Sequence, residues 1–116
     1  MLAVPLAVLV LLNWQSVMLS VAMLFGENRP RLLADAEWGR PESARKFHAR
    51  FAPGTSEGDL LDWLREYNFT INHAARMATH RVQSLPCNEI IKVTWRVTNT
   101  AAIQDAQAVV HEAGCL

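Results

Sequence analysis

From Met1 to Phe25 the chain carries no charged side chain. As a helix rising ~1.5 Å per residue, that run would be ~37 Å long, enough to cross a ~30 Å hydrocarbon core with some tilt. It therefore predicts a transmembrane helix over residues 1–25. A cleaved signal peptide is the competing reading. Against it, no Lys or Arg precedes the run, the run exceeds the usual ~7 to 15 apolar residues, and Ser20-Val21-Ala22 is the one passable cleavage site. Asn13, Ser16 and Ser20 recur at helical spacing and form a polar stripe with Trp14 beside it. Amides and hydroxyls in lipid bond across to another helix, or the hydroxyls bond back to their own carbonyls, a route harder for Asn13. Asn13, Trp14, Ser16 and Ser20 are thus expected to contact a partner within the membrane.

Beyond the break at Gly26 the pattern changes to short amphipathic pieces. Pro30 suits the first turn of a helix running to about Trp38, and Gly39-Arg40-Pro41 ends it. From Pro41 a second helical stretch places Ala44, Phe47 and Phe51 on one face, and residues 26–50 read as a helical linker beside the membrane or on a partner. After Pro53-Gly54, Thr55 or Ser56 caps a helix with Glu57 and Asp59 in its first turn, where the dipole favours negative charge. Leu60, Trp63, Leu64 and Tyr67 make its apolar stripe, and Asn68 can end it in the left-handed conformation. Phe69-Thr70-Ile71 looks like a strand, and the stretch from His73 to Gln83 is ambiguous between helix and strand.

From Glu89 to Val97 the alternation is clean: Ile91, Val93, Trp95 and Val97 share a face opposite Lys92, Thr94 and Arg96. Thr98-Asn99-Thr100 reads as a turn, and Ile103 to Val110 as the return strand. A hairpin turning there sets Cys87 opposite residue 112 or thereabouts, with Cys115 just beyond. One disulfide between Cys87 and Cys115 is then sterically reasonable and implies an oxidising compartment.

Composition narrows the function further. Eleven basic and eleven acidic residues give a formal net charge of zero, so no broad field attracts nucleic acid or an anionic substrate. His48, His73, His80 and His111 form no metal- or haem-binding spacing, and the two cysteines form no CxxC pair. Gly54-Thr55-Ser56-Glu57-Gly58 matches the hydrolase G-x-S-x-G pattern, but a strand and a large parallel sheet must frame that elbow, and the helix-cap reading explains the same residues. Asn68-Phe69-Thr70 is a glycosylation sequon, informative only for a secreted eukaryotic chain. No catalytic residue, metal or cofactor is expected, and no small-molecule substrate.

Residues 51–116 carry Phe-Ala-Pro-Gly-Thr-Ser-Glu-Gly-Asp-Leu-Leu-Asp-Trp-Leu, then Pro86-Cys87-Asn88-Glu89, a strand with Trp95 and a terminal Gly-Cys-Leu. This stretch resembles small proteobacterial envelope proteins and is more distantly similar to the SmpA/OmlA family of outer-membrane assembly lipoproteins. The resemblance implies export and brings no catalytic residues; the lipid-bearing cysteine of that family is missing here. The fold expected is α+β: one N-terminal transmembrane helix, a linker over 26–50, and a small extracytoplasmic domain of helices and a short antiparallel sheet over 51–116. Two rules disagree on topology. Arg29, Arg31, Arg40 and Arg45 near the membrane exit favour a cytoplasmic domain, whereas the cysteine geometry and the resemblance favour the periplasm. The second is adopted. The expected role is an accessory, structural subunit of a bacterial inner-membrane complex of respiratory or photosynthetic type, with larger membrane subunits and the lipid bilayer as partners. The alternative is an anchored envelope-assembly or binding module outside any stable complex.

Overall fold

The computed structural model describes residues 28–84 and 86–115. Helix propensity is interrupted early by Pro30 and by Gly39-Arg40-Pro41, and the chain responds with two 3-10 turns, Arg31–Leu33 and Pro41–Ser43, before the first α-helix, α1, Arg45–Arg50. Lys46 N at the start of α1 donates to Asp35 Oδ2 at 3.2 Å, a cap supplied from eleven residues back rather than from the preceding residue. The second helix, α2, spans Glu57–Glu66. Its first turn is capped by Ser56, whose Oγ accepts from Asp59 N at 3.2 Å, and Asn68 (φ 61°) turns the chain out of the helix.

Four strands follow: β1 Thr70–Asn72, β2 Met77–Val82, β3 Cys87–Val97 and β4 Ile103–Cys115. They form an antiparallel meander in the order β1-β2-β3-β4. Pleating sends alternate side chains to opposite faces. Ala78 and Val82 of β2, Ile91, Val93 and Trp95 of β3, and Ala106, Ala108 and Val110 of β4 are buried on one side. Onto that side α2 places Leu60, Trp63 and Leu64. Phe47, Phe51 and Phe69 close around Trp63 with ring centroids 5.5–5.6 Å from it. The alanines of β4 weaken the hydrophobic alternation in sequence yet suit a strand lying under large aromatic rings.

β4 is an edge strand with part of its outer edge covered by loops. Gly39 N donates to Val110 O at 2.9 Å, Gly54 N to Ile103 O at 2.8 Å, and Ile103 N to Thr55 O at 2.6 Å. These bonds satisfy edge groups that would otherwise offer a template to another strand.

The expected fold class needs correction. The transmembrane helix foreseen over residues 1–25 lies outside the described residues, and among the described residues no helix is long and apolar enough to cross a membrane. What the described chain forms is a compact domain with a four-stranded antiparallel sheet and two helices. The sheet is not short, because β3 and β4 run 11 and 13 residues. Helix is correspondingly scarcer before residue 50, where the two prolines limit it to single turns and one six-residue segment. That region also packs inward: Leu33, Ala44 and Phe47 are fully buried in the same core as Ile91 and Val110. Its apolar residues complete the aromatic layer.

Candidate functional site

One end of the sheet gathers the most unusual chemistry of the domain. Glu89 occupies an inward-facing position of β3 and is 7% exposed, the one buried charged residue among those described. Burying a carboxylate is costly unless it is paired and hydrogen-bonded. Here the partner is Arg29, from the segment preceding the first 3-10 turn. Its Nε donates to Oε1 at 2.9 Å and its Nη2 to Oε2 at 2.6 Å, a bidentate fork. The remaining guanidinium nitrogen, Nη1, donates to the carbonyls of Leu33 at 3.2 Å and Ala36 at 2.7 Å. Trp38 Nε1 adds a bond to Glu89 Oε2 at 2.5 Å. The hydrogen bond from Arg29, reinforced by that from Trp38 and by the ion pair, outweighs burial and holds the Glu89 carboxyl below the ordinary carboxylate range. The same contact raises Arg29 above its usual value. Both groups are therefore locked in their charged forms, which makes them a structural clasp and a poor proton shuttle.

Two residues along β3 from Glu89, Cys87 lies directly across from Cys115. The two form a disulfide that joins the open ends of β3 and β4. Register shifts between Asn88 and Glu89 and between Arg96 and Val97 bring Cys115, rather than residue 112, into line with Cys87.

A second carboxylate, at the other end of β3, repeats the arrangement. Glu57 Oε2 accepts from Arg76 Nε at 3.1 Å and from Trp95 Nε1 at 2.7 Å. This ties the start of α2 to the β1–β2 turn, where Arg76 itself has a positive φ of 49°, and gives the buried indole the acceptor it needs. Two of the four tryptophans thus hang on glutamates, a pairing that sequence periodicity did not suggest. One signal was present: Glu89 shares its parity with Ile91, Val93 and Trp95, so the alternation already placed an acid on the buried face, where a partner was required.

The remaining candidate residues fall as follows. Asn13, Trp14, Ser16 and Ser20 lie outside the described residues. Ser56 of the G-x-S-x-G match is a helix cap, its Oγ occupied by Asp59 N. His73 and His111 are exposed, while His80 is half-buried and stacks on Phe69 at 5.2 Å. Among the described residues no group of three or more His, Cys, Asp or Glu side chains could hold a metal ion. A shallow depression of about 320 Å³ bordered by Arg76, Thr94, Arg96, Asp105 and Gln107 is lined by polar groups, with Arg76 paired to Glu57 and Arg96 to Asp105. No family model, curated protein or solved structure matches the chain.

Proposed function

We propose that the chain is a non-catalytic accessory subunit, an oxidised domain that braces larger subunits of an inner-membrane complex from the periplasmic side. The observation that carries this reading is the disulfide-closed sheet clad on one face only. A Cys87–Cys115 bond belongs to an oxidising compartment. Helices and aromatic rings occupy one face of the sheet, and among the described residues no element covers the other. Buried Glu89 and half-buried Glu57 are committed to internal arginine and tryptophan partners, as suits a bracing role.

Mild-detergent extraction followed by native electrophoresis tests the assignment. Co-migration with a large membrane assembly is expected. Migration as a small species would refute the subunit role and favour an envelope-binding module acting outside a stable complex. The compartment is tested separately in intact cells with a membrane-impermeant thiol reagent. Labelling after reduction alone is expected, whereas protection until the inner membrane is lysed would put the domain in the cytoplasm.

A further inference from the structure

The sheet face that no described element covers carries mainly basic charge. Its side chains come from the alternate positions of the strands, and the register aligns them in rows: Thr79 beside Lys92 beside Val109, and Arg81 beside Ile90 beside His111. The charges on this face are Arg81, Lys92 and Arg96 against one acid, Asp105, which pairs with Arg96 at 3.6 Å. The chain as a whole is neutral, so the excess of positive charge here is balanced elsewhere. Much of that balance sits on α2, where Glu57, Asp59, Asp62 and Glu66 face a single Arg65. Between the cations, Met77, Ile90 and Val109 are half-buried and flush with the pleat.

We infer that this face docks an acidic protein surface of the assembly partner, with Arg81 and Lys92 as the charged contacts around a threonine-rich, weakly apolar centre. The inference rests on the accessory-subunit reading and names the surface through which it works. Charge complementarity selects the partner. A bilayer is the poorer occupant, since interfacial helices and loops engage lipid through exposed aromatic and aliphatic side chains. The one large exposed hydrophobic residue described, Trp38, belongs to the opposite side with Glu89. A second copy stacked face to face would oppose like charges. With strands ~4.8 Å apart and ~3.3 Å per residue, the face covers on the order of 500 Å². That is below the ~800 Å² per partner of a stable interface, so the contact depends on its few charges and is sensitive to their reversal.

The test places a photocrosslinking residue at Thr79, at the centre of the face, or at Asp62, on the outer side of α2, in the full chain in its native host. Thr79 is expected to yield a discrete adduct whose linked peptide lies in an acidic surface of another protein. The double variant Arg81→Glu/Lys92→Glu should lower that adduct at least tenfold while keeping the disulfide and the thermal melt of the parent. Reversal of acids to lysine in the partner should restore it. Absence of a Thr79 adduct overturns the inference, as does linkage to lipid, to residues 1–27 or to a second copy, adducts from Asp62 alone, or undiminished crosslinking by the double variant. Native electrophoresis of the parent protein separates the two readings: a large assembly without a Thr79 adduct sinks the docking face alone, and absence of any large assembly sinks the subunit role.

Discussion

Replacing Glu89 with Gln removes one charge from the Arg29 clasp and leaves its shape intact. Losing one partner of a buried ion pair costs ~3 to 5 kcal/mol where the survivor is stranded. Arg29 is less exposed to that penalty: its side chain is 22% accessible, and the Leu33 and Ala36 carbonyls still accept from Nη1. The glutamine oxygen also keeps one acceptor for Arg29 or Trp38. The expected loss is therefore ~2 kcal/mol, or a fall in Tm of roughly 8 to 16 °C for a domain of this size. The pH dependence gives the sharper test. A depressed carboxyl stabilises the fold above its unfolded pKa of ~4.3, and that contribution fades as pH falls through the lower folded value. Arg29 is shifted upward and stays protonated throughout, so it adds no slope in this window. Urea denaturation at pH 7 should show the full gap between parent and variant. By pH 3 the gap should be closing, because a protonated Glu89 then resembles the glutamine. A gap that is equal at both pH values, or below ~0.5 kcal/mol at neutrality, would show that the clasp does not operate as an ion pair.

Three further outcomes follow from the packing. Phe47→Ala should cost ~3 to 5 kcal/mol in the same assay, since the ring is fully buried against Phe51 and Trp63; a cost under 1 kcal/mol would mean residues before 50 are peripheral to the core. Reduction of Cys87–Cys115, or the double serine variant, should remove ~3.5 kcal/mol given the 28-residue separation, and non-reducing peptide mapping should recover the two cysteines in one linked fragment. Ala101→Gly should raise stability by ~0.5 kcal/mol, because Ala101 holds a left-handed φ of 59° that glycine adopts without its Cβ penalty; a lower melting temperature would show that the turn does not carry this strain.

The elements legible in the sequence are those whose signals are local. Ser56 and Asn68 mark the ends of α2 by cap chemistry, and β3 follows from seven residues of strict alternation, Ile91 to Val97. The ambiguous stretch from His73 to Gln83 divides into a turn and β2; Asn72 Oδ1 receives Ala75 N at 3.1 Å, and Arg76 enters the left-handed region. Arginine carries no turn signature of its own, which is why periodicity alone left the segment open. β4 outruns its apparent end at Val110 because its last residues are held by the disulfide and by pairing with β3 rather than by their own burial.

The site was legible at one remove. Parity in β3 put Glu89 inward, and a buried acid demands a cation and further donors. The partners, Arg29 and Trp38, stand 60 and 51 residues away, and nothing local in their neighbourhoods distinguishes them from the other arginines and tryptophans. Arg29, one of the four arginines between residues 29 and 45, is thereby neutralised by Glu89 within the fold. The same pleat that hides positions 89, 91, 93 and 95 turns 92 and 96 outward beside Arg81, so the clasp and the basic face arise from one alternation.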